Sequence, residues 1–234
     1  MLGFVLAAIA GSGSLAGSAP TPTTEQFPLR SHPLPPLLAQ WQDPTASGDY
    51  FAEVQSVGVG YLIWSAFPVR VAWEASDPEA GEKCREPLQM GVNEWMPYMP
   101  LTWVEDPEQA DIRLLCQRPR LRRDANGELL RARSGETSYK LYLKREGAAL
   151  PTLAHQFTIL ISPNQLPMYI QASTRHEMGH ALGIWGHSPT ATDALYFSQV
   201  RNPPSISPRD VNTLKRVYQQ ATRLGWQMEA QPSA

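Results

Sequence analysis

His176–Ser188 reads HEMGHALGIWGHS and holds three of the five histidines in this 234-residue chain. His176 and His180 are four apart, with Glu177 directly after the first. On a helix, positions i and i+4 share one face, so both imidazoles reach a single metal ion. Gly183 then suits a left-handed residue that stops the helix and turns the chain back, and His187 is the only histidine that follows it. The pattern predicts a zinc site. Zinc favours imidazole nitrogen at about 2.0–2.1 Å, and its catalytic sites combine three protein ligands with one water. Zinc lowers the pKa of that water toward about 7, so a carboxylate beside the first ligand can take its proton and pass it to a leaving amine. Glu177 is the candidate base. For the third ligand His187 leads; the acids after it are Asp193, Asp210 and Glu229. Asp210 reads as a helix cap and Glu229 as tail, which leaves Asp193 as the alternative.

Outward from the motif, the hydrophobic pattern predicts an α/β (α+β) domain in which an active-site helix and a C-terminal helix pack on a mixed, twisted sheet. Tyr61–Trp73, Leu101–Val104, Ala110–Cys116, Ser138–Leu143 and Phe157–Ser162 (FTILIS) read as strands, FTILIS as the edge strand along which a bound peptide is expected to lie antiparallel. Arg85–Tyr98 reads as a helix whose stripe of Leu88, Val92, Trp95, Met96 and Met99 is core packing. Ser162, Pro163 and Gln165 fit a capping box opening the motif helix, which runs to Leu182. Ser207-Pro208-Arg209-Asp210 opens the last helix, ended by Gly225. Between strands, Gln117–Gly135 is polar and carries Asn126-Gly127, a loop or hairpin. Its basic run, Arg118 to Arg123, reads as a solvated loop.

Beyond the motif the sequence resembles the metzincin metalloproteases, and within them the matrixins. The likeness rests on HEMGHALG with a following His-Ser pair, on PLTWVEDPEQADIRLLC (100–116), on FPVRVAW before it and on SPRDVNTLKRVYQ after it, covering residues 60 to 220. It implies a zincin fold, Zn2+ bound by His176, His180 and His187, catalysis through Glu177, and hydrolysis of protein or peptide substrates. Three departures stand out. The metzincin pattern puts its third histidine where Gly186 stands, one residue earlier; glycine there accepts backbone angles that absorb the insertion. Matrixins place a methionine eight residues after that histidine, and here the count lands on Leu195, followed by Tyr196. Leu195 becomes the Met-turn equivalent, and Tyr196 a residue that contacts substrate or transition state, or else core. Lastly, the extra zinc and calcium sites of animal matrixins need several ligands where this chain offers only His155, which reads as packed in the sheet. Trp185, beside the ligand turn, is expected to wall the site, and Arg175 to be a surface or packing residue.

Two other readings stay open: a zinc-holding module without catalysis that serves protein binding, and an amide hydrolase for a non-protein substrate. An intact Glu177 argues against the first, because a structural site has no use for a base. The formal net charge of −2 and scattered basic residues point away from nucleic acid. The N-terminus reads MLGFVLAAIAGSGSLAGSAP, a short apolar run and small residues like a secretory signal over residues 1–19; no Lys or Arg precedes it, and a disordered apolar tail is the alternative. The run is shorter than the roughly 20 residues that span a bilayer. An exported, secreted or periplasmic monomer without a membrane segment is expected. Residues 20–45, with six prolines between Pro20 and Pro36, read as a linker or pro-segment, 46–226 as the catalytic domain and 227–234 as a tail.

The chain's only cysteines are Cys84 and Cys116. In a strand–helix–strand crossover the helix starts at the carboxyl end of the first strand. If the ADIRLLC strand is parallel to that strand, both thiols lie at one sheet edge, where a disulfide is expected in an exported protein; two buried free cysteines are the alternative.

Overall fold

The computed structural model describes residues 23–130 and 132–229. The expected signal peptide, residues 1–19, lies outside the described residues. The fold is mixed α/β, built on a five-stranded twisted sheet in the order β3-β2-β4-β6-β5. The strands are β2 (Val69–Ala75), β3 (Leu101–Trp103), β4 (Ile112–Cys116), β5 (Gly135–Lys144) and β6 (Thr152–Ile161). All neighbours are parallel except β5, which runs antiparallel to β6 and forms one edge. A two-stranded sheet pairs β1 (Arg30–Ser31) with β7 (Ala221–Thr222). The helices are α1 (Pro36–Gln40), α2 (Pro78–Asn93), α3 (Pro167–Leu182) and α4 (Pro208–Tyr218). None of these is long and apolar enough to cross a membrane.

Several element boundaries differ from the sequence expectation, each for a local reason. The first strand starts at Val69, not Tyr61. Leu62, Ile63 and Trp64 ahead of it are buried because they pack under the end of α3, where Trp64 donates its indole N–H to Ala181 O (2.9 Å). Burial, not strand pairing, selected those apolar residues. The α2 helix begins at Pro78 rather than Arg85, since Asp77 accepts from Ala80 N at 2.8 Å and caps it. It ends at Asn93, and the stripe continues through turns that bury Trp95 and Met99. The α3 helix starts at Pro167, not at Ser162. Ser162 and Gln165 instead shape the preceding turn: Asn164 N donates to Ser162 Oγ, and Gln165 Nε2 to Ser162 O and Ser134 O. Ser207 and Asp210 do form a capping box, but α4 ends at Tyr218, and Gly225 lies beyond β7. FTILIS is the second half of a longer strand held between β4 and β5, so β5, not FTILIS, supplies the free edge.

The proline-rich segment does not stand off from the domain. Phe27 and Leu38 are fully buried, Trp41 donates to Asn212 on α4 at 2.9 Å, and β1 adds to β7. Phe27 follows a 3-10 turn (Thr24–Gln26), and Leu38 lies on α1, which Pro36 opens at a position where no backbone N–H is needed. At the other end, the start of the expected tail also packs: Met228 N donates to Pro151 O (2.9 Å) and Glu229 N to Gln26 O (2.9 Å).

Cys116 pairs with Ala75 in the parallel β2–β4 register, and Cys84 lies in the second turn of α2, the helix that follows β2. The two form a disulfide with Cα atoms 6.1 Å apart across 32 residues. In the chain-entropy account, a closed loop of that length stabilises by about 3–4 kcal/mol.

Candidate metal centre

The α3 helix packs against α2 and presents its last two turns to the cleft beside β5. His176 and His180 fall on one face there, their rings 4.8 Å apart. Each ring is aimed by a backbone carbonyl. His176 Nδ1 donates to Ala194 O at 2.9 Å and His180 Nδ1 to Ile184 O at 2.7 Å. A carbonyl carries no proton, so both hydrogens sit on Nδ1 and both Nε2 atoms keep their lone pairs. Those two nitrogens face each other at 3.2 Å. Ligand nitrogens about 2.0–2.1 Å from a tetrahedral ion lie about 3.3 Å apart, so the pair matches that spacing.

His187 closes the third side. Helix α3 stops at Gly183, whose φ of +131° turns the chain back, and Ile184 N bonds Gly179 O at 3.0 Å. The His187 ring then lies 4.7 Å from that of His180 and 5.2 Å from that of His176. Ligand nitrogens of all three lie within 4.8 Å of one another, a group able to hold a metal ion. Burial first, and the neighbouring histidines next, hold the His180 ring well below the usual histidine range. The same two causes, burial then His176, push His187 down to about 4. Neutral imidazole is the form that binds metal. Gly186 serves a different end than the backbone freedom anticipated for it. Its φ is not positive; a Cβ there would meet Glu53 O at 2.1 Å, so glycine is needed for close approach to the end of the 3-10 turn Phe51–Glu53.

Glu177 lines the same cleft as the three histidines. Thr137 Oγ1 donates to its Oε2 at 2.6 Å, and among the described residues Oε1 receives no hydrogen bond. Burial raises the Glu177 pKa, offset in part by His176 and by the Thr137 bond. Room for the carboxylate comes from Gly135, where a Cβ would lie 2.7 Å from Oε1.

Under the histidines the chain makes a turn from Ser188 to Tyr196, closed by Ser188 N to Leu195 O (2.8 Å). Leu195 is fully buried against Gly179; a Cβ on that glycine would come within 2.6 Å of the leucine side chain. Two buried aspartates anchor the turn. Asp210 accepts from Ala194 N (2.8 Å), Leu195 N (3.3 Å), Ser207 N (2.8 Å) and Tyr50 Oη (2.6 Å). Asp193 accepts from Ser188 Oγ (2.5 Å), Ser207 Oγ (2.7 Å) and Arg209 Nε (3.0 Å). Asp193 is thus occupied by the turn, and the structure does not bring it into the histidine group.

A cleft of about 830 Å3 runs over the site, lined among others by Thr137, Glu177, Trp185 and Tyr196. Arg175 is buried and paired with Glu94, its Nη2 2.9 Å from Oε1. His155 is buried in the sheet, stacked on Trp64 with ring centres 4.0 Å apart. Sequence reasoning missed Thr137 and Gly135, which sit on β5 some 40 residues before the glutamate they hold, and nothing local marks them.

No family model and no curated protein matches the chain. Among solved structures, two of myroilysin are similar to it. One has 14% identity and a TM-score of 0.37, covering 76% of this chain and 97% of that one. The other has 12% identity and a TM-score of 0.35, covering 68% and 97%.

Proposed function

We propose that this chain is an exported zinc-dependent endopeptidase, a matrixin-like metzincin with a shifted third histidine. In this reading His176, His180 and His187 hold the ion, residues 46–226 are the catalytic domain, and the proline-rich segment straps it. The observation that carries the reading is the pair of Nε2 lone pairs facing each other at 3.2 Å, with both Nδ1 hydrogens committed to carbonyls. Without a cation between them that arrangement is repulsive. Zinc, when bound, supplies Lewis-acid activation of a water near neutral pH. Glu177 takes the proton of the attacking water on Oε1 and returns it to the leaving amine, while Thr137 holds Oε2 and fixes the carboxylate's orientation. A peptide adds to the free edge of β5, whose backbone groups pair with it. Tyr196, lining the cleft, contacts the substrate, and Leu195 fills the position under the ion. The Cys84–Cys116 disulfide suits an oxidising compartment.

The test compares zinc content and proteolysis of the purified chain with those of His187→Ala and Asp193→Ala. Wild type should bind one zinc and cleave an unfolded protein; His187→Ala should lose most of its zinc, because two ligands hold the ion weakly. Stoichiometric zinc in His187→Ala with loss in Asp193→Ala overturns the ligand set. Full zinc with no hydrolysis of any unfolded protein favours a zinc-holding binding module instead.

A further inference from the structure

The basic run read from sequence as a solvated loop comes to the cleft. The segment between β4 and β5 folds as a hairpin, with Arg123 opposite Leu129 and Gly127 at φ +83°. It leads directly into Gly135 and Thr137, the residues that house Glu177. Arg118, Arg122 and Arg133 all line the same cleft as the histidines. Arg122 and Arg133 share one carboxylate: Arg122 forms an ion pair with Glu136, and Arg133 Nη1 lies 3.5 Å from it. Arg118 is exposed and meets no carboxylate among the described residues. Of the other charged groups on the cleft wall, Glu177 is near enough to Arg133 for the two to attract. Arg175 is taken by Glu94, and Asp193 is buried and taken by Arg209. Three guanidinium groups therefore face two carboxylates, Glu136 and the candidate base Glu177, an excess of one positive charge with both ionised. Arg122 and Arg133 are about half exposed, with side-chain exposures of 51% and 47%, so both remain accessible to a ligand.

We propose that this wall selects peptide substrates carrying an acidic side chain near the scissile bond, held by Arg118 and by the Arg122–Glu136–Arg133 cluster. The inference rests on the peptidase reading and names its substrate class. A guanidinium fork matches a carboxylate in two parallel hydrogen bonds, which gives both charge and orientation. The cleft's walls exclude part of the solvent, so such a contact counts for more than on an open surface.

The test uses zinc-loaded full chain and fluorogenic peptides of one parent sequence, with Glu, Gln or Lys placed in turn at each position flanking the cleaved bond. At one position at least, kcat/KM for Glu should exceed that for Gln by roughly tenfold, the size of one charge-assisted contact. The ratio should shrink as salt is raised. It should fall toward one in Arg118→Gln/Arg122→Gln. A ratio near one at every position in wild type overturns the proposal. Fluorescence-anisotropy binding of the same peptides separates the two readings. Tighter binding of Glu than Gln peptides with no cleavage keeps the acidic selection and sinks the peptidase; equal binding sinks the selection.

Discussion

The carboxylates on the two sides of the histidine group differ in how far their hydrogen-bonding capacity is used. Asp210 and Asp193, in the turn beneath, accept four and three hydrogen bonds of the roughly four that a carboxylate can take. Glu177, on the cleft wall, accepts one side-chain hydrogen bond, on Oε2. All three are buried. A buried carboxylate whose acceptor sites are mostly taken by donors of the fold reads as scaffold, although burial still raises the Asp210 pKa. One left half-satisfied at a cleft is the arrangement that the proposed proton-transfer role requires. Burial alone does not separate the two; the count of donors does.

The largest test of that contrast is Glu177→Ala. Turnover should fall by about 10²–10⁴, the usual contribution of a proton-transfer group, while zinc content holds. Its melting temperature should stay level or rise, because a poorly compensated buried charge is removed. Undiminished hydrolysis would erase the distinction drawn here. Asp210→Ala should do the opposite to stability. It strands Ala194 N, Ser207 N and Tyr50 Oη, each buried donor costing about 1–3 kcal/mol. A loss of at least about 3 kcal/mol corresponds to roughly 6–12 °C in a domain of this size, readable by calorimetry; a shift under a few degrees would show that the turn does not depend on Asp210.

His155 sharpens the same point from the other direction. Its Nε2 is buried without a partner among the described residues, and its ring packs against Trp64 and Phe157. Burial holds its pKa at about 3, against an ordinary 6.5. Between those values only the unfolded chain takes the proton, so this group costs stability progressively as pH falls from 6.5 toward 3. Urea midpoints at pH 7 and pH 4.5 should therefore drop less for His155→Phe than for wild type. Equal drops would mean the imidazole titrates in the fold. The smallest effect belongs to Leu195→Met, a volume-conserving exchange against Gly179 expected to cost under about 1.5 kcal/mol by chemical denaturation. Loss of folding there would remove Leu195 from the position under the ion.

The sequence by itself was enough for the helical i, i+4 pair with its adjacent glutamate, the glycine stop after Leu182 and the capping box at Ser207, because those are short-range patterns set by helical geometry and local hydrogen bonding. It placed both cysteines at one sheet edge on the condition that the ADIRLLC strand runs parallel to the first, and the β2–β4 pairing supplied that condition. Tertiary structure alone decided what each residue's neighbours are. It brought Thr137 and Gly135 from β5 to Glu177, packed the proline-rich segment against α4, made β5 rather than FTILIS the sheet edge, and set Arg118 and Arg122 of the solvent-exposed basic run at the rim of the cleft. It also replaced a backbone-angle explanation for Gly186 with a steric one. These contacts join segments tens of residues apart, and no local propensity or spacing encodes which strand lies beside a helix once both are buried.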